Sequence, residues 1–325
     1  MGVDLSGAGS GESGRGVTED SPSPPHPPSG RAAPGIRFAG IGDEAAADLT
    51  GQLDALRRLG WTAIELRTVD GVAVADLDDR AFAAVADRIG AAGLDVVCVD
   101  SRIANWSRPI TGPFEDDVRE LRRLARRCAT LGTRFVRVMS YPNSGLHEEE
   151  WGRRALDRMA RLVRQAEQEG LVLLHENCSG WAGTRADRMR ELIDRAGGPA
   201  LRLLFDIGNG VPYGYDARAL LDEIIDHVAH VHVKDARTGP DGQVRYTMPG
   251  DGESAVRSCL RALADHGYTG AWSIEPHTHL QPHQGQDTTG ADGVAAFVRY
   301  GRCLERLVRQ ETLSDRAPAG GGRHG

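Results

Sequence analysis

Short runs rich in Val, Leu and Ile alternate along the chain with longer amphipathic stretches, and the alternation repeats eight times. The runs Ile36–Ile41, Thr62–Arg67, Leu94–Asp100, Arg134–Ser140, Leu171–Asn177, Leu201–Ile207, Val228–Lys234 and Ala271–Glu275 have the length and β-branched content of strands. Gly60, Gly93, Gly132 and Gly170 precede four of them, at the place where a helix commonly ends in a left-handed residue. Between the runs, apolar residues recur at helical spacing. Val118, Leu121, Leu124, Ala125, Cys128 and Leu131 form one stripe, and Val256, Cys259, Leu260, Leu263 and Ala264 another. Ala291–Val308 supplies a last helix.

Eight strands, each followed by a helical segment, predict an α/β fold of the (β/α)8 TIM-barrel type, which commonly takes about 250 residues as one domain. A doubly wound open sheet is the main alternative. It usually has fewer strands, and no Gly-x-Gly-x-x-Gly opens the first strand–helix turn here. The barrel is assigned to residues 36–312. Residues 1–35 are rich in Gly, Ser and Pro, as in Ser21-Pro-Ser-Pro-Pro-His-Pro-Pro28, and residues 313–325 end in Gly-Gly-Gly-Arg-His-Gly. Such segments bury too little apolar surface to offset their ordering entropy, so both are expected to be disordered tails.

Composition narrows the function classes. With 39 Lys and Arg against 46 Asp and Glu, the chain lacks the basic excess that bulk phosphate binding needs, which argues against a nucleic-acid partner. The five cysteines are odd in number and scattered, with no Cys-x-x-Cys pair, so neither a disulfide framework nor a thiolate zinc site is signalled. A reducing, cytoplasmic setting fits. No apolar stretch approaches the roughly 18 residues of a membrane helix, and no signal-peptide core is visible at the start.

Four metal-friendly side chains close four successive runs. Glu176 ends Leu171-Val-Leu-Leu-His-Glu176, Asp206 ends Leu201-Arg-Leu-Leu-Phe-Asp206, His232 lies in His230-Val-His-Val-Lys-Asp235, and Glu275 ends Ala271-Trp-Ser-Ile-Glu275. In a parallel barrel the C-terminal strand ends converge on one mouth, where active sites are built. Strand alternation puts Val172, Leu174 and Glu176 on one face, Ala271, Ser273 and Glu275 on another, and His230, His232 and Lys234 on a third. All four candidates thus fit inward-facing positions. Three oxygen donors and one imidazole suit Mn2+ first, then Mg2+ or Co2+, with Zn2+ less favoured because structural zinc prefers thiolate and imidazole.

The order His-Glu-Asn-Cys around Glu176, Phe-Asp-Ile-Gly-Asn around Asp206, His-Val-His-Val-Lys-Asp around His232 and Ser-Ile-Glu-Pro around Glu275 resembles the xylose-isomerase-like sugar phosphate isomerase/epimerase superfamily. The turn Gly250-Asp-Gly-Glu253 resembles that superfamily's Gly-x-Gly-x loop. The likeness covers residues 36–310 and implies a metal-dependent isomerase or epimerase acting on a keto sugar or sugar derivative. It further implies that Glu176 and Glu275 exchange protons with carbon beside a carbonyl, through an enediolate, while Asp206 and His232 serve as ligands only. Several epimerases of the group carry a His shortly after the metal-binding Asp. Here Asn209 stands nearest to that place, as a departure from the pattern at a substrate-binding position. Some relatives use a Lys near the metal, and Lys234 takes that part or pairs with Asp235.

Other residues are weaker candidates. Glu65 and Arg67 close the second strand and could bind substrate hydroxyls or an anion, or pair with each other. Arg102, Trp106 and Trp181 follow strand ends and could wall a sugar ring or simply pack in loops. His277, His279 and His283 follow Glu275 in a loop, His175 is expected to face the helices, and nothing basic beside Cys178 marks an activated thiolate. The sister reading is a lyase that dehydrates a keto-inositol or cleaves an oxidised glycoside on the same metal site. A barrel endonuclease would need a three-zinc cluster and a basic groove, and a retaining glycosidase would need two glutamates without Asp206 and His232. A metal-free binding subunit, or a homo-oligomer of the enzyme, is compatible with the same sequence.

Overall fold

The computed structural model of the chain describes residues 36–278 and 291–313. One sheet contains β1 (Arg37–Gly40), β2 (Ala63–Leu66), β3 (Asp95–Asp100), β4 (Phe135–Ser140), β5 (Val172–Gly180), β6 (Leu201–Asp206), β7 (Val228–Val233) and β8 (Ala271–Ile274). From β2 to β8 each strand pairs in parallel with its successor, and β8 pairs in parallel with β1. A parallel bridge between Ile41 and Glu65 joins β1 to β2 and closes the ring. The expected TIM barrel is present.

Around it lie α1 (Leu49–Leu59), α2 (Asp79–Ala91), α3 (Phe114–Leu131), α4 (Glu148–Gln168), α5 (Ala186–Ala196), α6 (Ala217–Ile224), α7 (Val256–Asp265) and α8 (Ala291–Leu313). Their ends follow capping chemistry. Asp48, Asp78 and Asp216 accept backbone N–H groups at helix starts, and Gly60 and Gly132 close α1 and α3 in the left-handed conformation. Among the described residues no helix is long and apolar enough to cross a membrane.

The strands read as near-continuous apolar runs because both faces are buried. Outward residues such as Leu173, Leu203, Phe205, Val231, Val233 and Ile274 join the core beneath the helices. Inward residues form separate clusters, Cys98, Val172, Leu174 and Leu204 in one and Ala39, Ala63, Val97 and Ala271 in another. Leu174 and Leu204 point inward, so Glu176 and Asp206, two residues further along β5 and β6, do so as well.

Two hairpins that the hydrophobic pattern did not signal rise at the C-terminal ends of the strands. Thr68–Val69 pairs with Val72–Ala73 after β2, and Ala236–Thr238 pairs with Val244–Tyr246 after β7. Asp235 ties down the turn that follows the second hairpin. Its carboxylate accepts the N–H groups of Gly250, Gly252 and Ser254 at 2.8, 2.9 and 3.1 Å. Gly252 must lack a side chain there, since a Cβ would lie 2.3 Å from Asp235 Oδ1.

Candidate metal centre

Glu176, Asp206, His232 and Glu275 meet at the C-terminal mouth of the barrel. Each offers one ligand atom, those atoms lie within 4.8 Å of one another, and all four residues are buried. His232 Nδ1 has no hydrogen-bond partner although it is fully buried. Its other nitrogen, Nε2, lies 3.0 Å from Glu65 Oε1. A carboxylate only accepts, so Nε2 carries the proton and Nδ1 is left to face the cluster. A buried ring nitrogen with no partner is costly unless something binds it. Asp206 Oδ2 is similar: Lys234 Nζ is 2.7 Å away, but the pair is not aligned as a hydrogen bond. Three carboxylates and an oriented imidazole form a donor set that a divalent cation fits, and the carboxylate–histidine pair below is the usual support for such a ligand.

That support corrects the expectation for Glu65. It is fully buried beneath the centre, bonded to His230 at 2.9 Å and His232 at 3.0 Å, and it accepts from the Ser273 hydroxyl. It holds the His232 ring and is not among the residues that line the cavity at the mouth. Arg67 does line the mouth, yet its guanidinium is held by three carboxylates: Asp43 and Glu44 at 2.8 and 2.6 Å, and Glu275 Oε1 at 2.8 Å. Asn209 donates to Glu176 Oε1 and to the Asn177 carbonyl, both at 3.1 Å, which makes it a brace for that glutamate. Lys234 pairs with Asp206 and Glu275, and not with Asp235, whose oxygens the following turn has taken.

Sequence reasoning missed Arg137, Asp100, Asp43 and Glu44. Arg137, inside β4, donates to Glu176 Oε2 at 2.9 Å, and its Nε lies 3.5 Å from Asp100. Asp100 closes β3 much as Asp206 closes β6, so the strand-end rule that singled out Asp206 also pointed to it. Nothing in the sequence marked Arg137, since an Arg within a strand commonly reads as an outward, solvated position.

The surroundings set the charge states. Burial alone would raise Glu275, but Lys234, His277, His232 and Arg67 hold it well below the usual carboxylate range. Glu176 is lowered against its burial chiefly by Arg137. Burial raises Asp206 to about 6, with Lys234 opposing. Burial would lower His232, but the Glu65 carboxylate outweighs it and pushes the ring up to about 10. Ligation at Nδ1 would displace the proton held there. Both glutamates are thus ready as anions.

Glu176 and Glu275 of the centre open onto a cavity of about 630 Å3 that is also lined by Arg67, Asn105, Trp106, Tyr213, Tyr246 and His277, among others. Trp106 and Tyr213 stand exposed on its rim. The Trp106 loop is fixed from below. Asp117 and Glu120 of α3 bind Arg108, Tyr141 donates to Asp117 at 2.7 Å, and Glu120 accepts the Arg102 N–H at 2.9 Å. Trp181 does not reach the cavity. It is buried against Gly152 of α4, whose Cβ would lie 2.7 Å from the indole nitrogen. His277 is buried and its Nδ1 lies 3.0 Å from Glu44. His279 and His283 lie outside the described residues. His175 turns to the helix layer with neither ring nitrogen bonded, and burial lowers it to about 4. Cys178 sits in the cavity wall, where burial pushes its thiol up to about 12, the opposite of an activated thiolate.

Comparison with known proteins agrees with this architecture. A 2-epi-5-epi-valiolone 7-phosphate 2-epimerase from an Actinoplanes species is 32% identical over 186 residues, covering 55% of this chain and 63% of the relative. An inosose dehydratase from Clostridium perfringens is 28% identical over 144 residues, covering 40% of this chain, and the match spans 48% of the relative, about half its length. Among solved structures, a protein called IOLI, crystallised with a zinc atom, superposes with a TM-score of 0.68 at 16% identity, over 85% of this chain and 99% of its own. The sequence model of one family matches residues 53–299, most of the barrel, and on that ground the chain belongs to the xylose isomerase-like TIM barrel family.

Proposed function

We propose that the chain is a divalent-metal-dependent isomerase or epimerase that moves a proton beside the carbonyl of a small keto sugar or sugar derivative. The observation that carries this reading is the buried convergence of Glu176, Asp206, Glu275 and the unpartnered His232 Nδ1, with the two glutamates reaching one cavity. The cavity volume of about 630 Å3 suits one monosaccharide-sized ligand with room to turn. Mn2+ is the ion proposed for the four ligands. Once bound it would act as a Lewis acid toward substrate oxygens.

The chain's own groups do the rest. Glu176 and Glu275 reach the cavity from β5 and from the end of β8, and both are held as anions. One, as the anion, takes the proton from carbon; the other first takes up a proton from water and returns it on the opposite face, and the first then releases its proton to water. Arg137 and Asn209 fix the first glutamate, and Arg67 fixes the second. Lys234 contributes an N–H donor for a substrate oxygen. Trp106 and Tyr213 offer apolar faces to ring carbons, and their exposed rim limits the substrate to a small molecule.

A lyase is the second reading, favoured by the match to an inosose dehydratase. Both reactions begin with the same proton abstraction and part only when a hydroxyl leaves. Incubating Mn2+-loaded protein with keto sugars and keto-inositols in D2O, followed by NMR and mass spectrometry, separates them. Deuterium uptake or inversion at carbon without loss of water supports the isomerase or epimerase. Loss of water makes the protein a lyase, and no exchange with any of these compounds overturns both readings.

A further inference from the structure

Lys234 follows β7, and its side chain is 4% exposed. The ammonium touches Asp206 Oδ2 at 2.7 Å and Glu275 Oε2 at 2.8 Å. The second oxygen of each carboxylate is already committed: Asp206 Oδ1 accepts the Gly208 N–H at 2.7 Å, and Glu275 Oε1 accepts from Arg67 at 2.8 Å. Of these four oxygens, the two that carry the ammonium are the ones not held by the backbone or by Arg67, and they are the ones most readily offered to a metal ion. Glu275 Oε2 lies 3.7 Å from His232 Nδ1, on the side of the cluster where the imidazole waits for a ligand partner. The Asp206 contact lacks hydrogen-bond alignment, so the ammonium rests there as a charge and not as a directed donor. Beyond it the wall is open, because Lys234 also lines the cavity.

We propose that Lys234 is the counter-cation of the metal-free centre and competes with the metal for Asp206 Oδ2 and Glu275 Oε2. This inference rests on the metal centre proposed above. Buried carboxylates with no cation beside them are costly, so a chain that folds before it meets its metal needs a substitute. A lysine can fill that place, because its charge is compact and its flexible four-carbon stem lets it leave. Loading the centre turns the ammonium into the cavity, where its three N–H donors become available to a substrate oxygen. The opposite role, a brace that supports both ligands on the ion's behalf, would place the ammonium on the far oxygens, and those belong to Gly208 and Arg67.

The test is a calorimetric Mn2+ titration of metal-stripped wild type and Lys234→Met, with melting curves before and after loading. Competition predicts that the variant binds Mn2+ about tenfold tighter or more. Its metal-free form should also melt below the wild type and gain more from Mn2+. Equal or weaker Mn2+ binding by the variant overturns the inference and makes Lys234 a brace. If the variant folds only when loaded, both proteins are purified with Mn2+ and stripped with EDTA. The inference then requires the variant to hold its ion at about tenfold more chelator, and loss at the same or lower EDTA overturns it. A wild type and a variant that both fail to take up Mn2+ would sink the metal centre itself, whereas equal affinities sink only the role of Lys234.

Discussion

At the N-terminal ends of the strands the barrel opens into a cavity of about 770 Å3 lined by Arg37, Arg134, His230 and His266. At the C-terminal ends lies the cavity of about 630 Å3 onto which Glu176 and Glu275 open. The larger one carries mostly surface chemistry. Its Arg37 pairs with Asp95 and its His266 with Asp226, at side-chain exposures of 42% and 76%, and 44% and 80%. Exposed pairs of this kind contribute about 0–1 kcal/mol and hold nothing in a fixed place. At the smaller cavity Glu176, Asp206, His232, Lys234 and Glu275 are all buried. Charges taken out of water persist only when each is matched, so their positions are over-determined. Desolvated, converging charge therefore locates a site, and volume does not. His230 links the two ends, since it borders the larger cavity and bonds Glu65 beneath the centre.

Substitutions at four levels of the barrel probe this contrast. Glu176→Gln and Glu275→Gln, at the mouth, should each lower substrate deuterium exchange by about 10^3-fold or more, because a positioned acid or base commonly supplies 10^2–10^4-fold. Circular dichroism should find the fold intact. Either variant retaining wild-type exchange removes that residue from proton transfer. Glu65→Gln, below the centre, should weaken Mn2+ affinity by about 10–100-fold, the usual cost of losing a partner that orients a ligand. Unchanged affinity in calorimetry would mean that Glu65 serves the fold alone. Trp106→Ala, on the rim, should raise KM by about tenfold with kcat nearly constant, as loss of ground-state stacking requires. A fall in kcat at constant KM would contradict that role. The smallest effect belongs to the other end. Arg134→Ala and His266→Ala should shift stability by less than about 0.5 kcal/mol and leave exchange and Mn2+ binding alone. A loss of activity from either would show that the larger cavity takes part in function.

The sequence made the eight strands, and the four residues that meet at the mouth, legible because both obey local rules. A parallel strand is a short apolar run, and the residues at a barrel's mouth sit where those runs end. What it hid were pairings between distant strands. Glu65 is separated from His232 by 167 positions, and Arg67 from Glu275 by 208. From sequence alone, each could bind substrate or enter a salt bridge, and the partners were hidden. In the folded chain, closure of β2 against β1 and β3 carries Glu65 under the imidazole and Arg67 onto the last ligand. For Trp181 the sequence left both outcomes open, since a loop aromatic can turn to the mouth or pack away from it, and it packs against the small Gly152 on α4. Lys234 was noted near the metal, but the turn that takes up Asp235 was needed to leave its ammonium to Asp206 and Glu275.

Crystals of the protein grown with Mn2+ and measured at the manganese absorption edge give the sharpest check of the four-ligand assignment. A single anomalous peak is expected, at about 2.0–2.3 Å from His232 Nδ1 and from one oxygen each of Glu176, Asp206 and Glu275. A peak on the neighbouring group of Glu44, Glu275 and His277, or no peak in this mouth, would contradict the assignment.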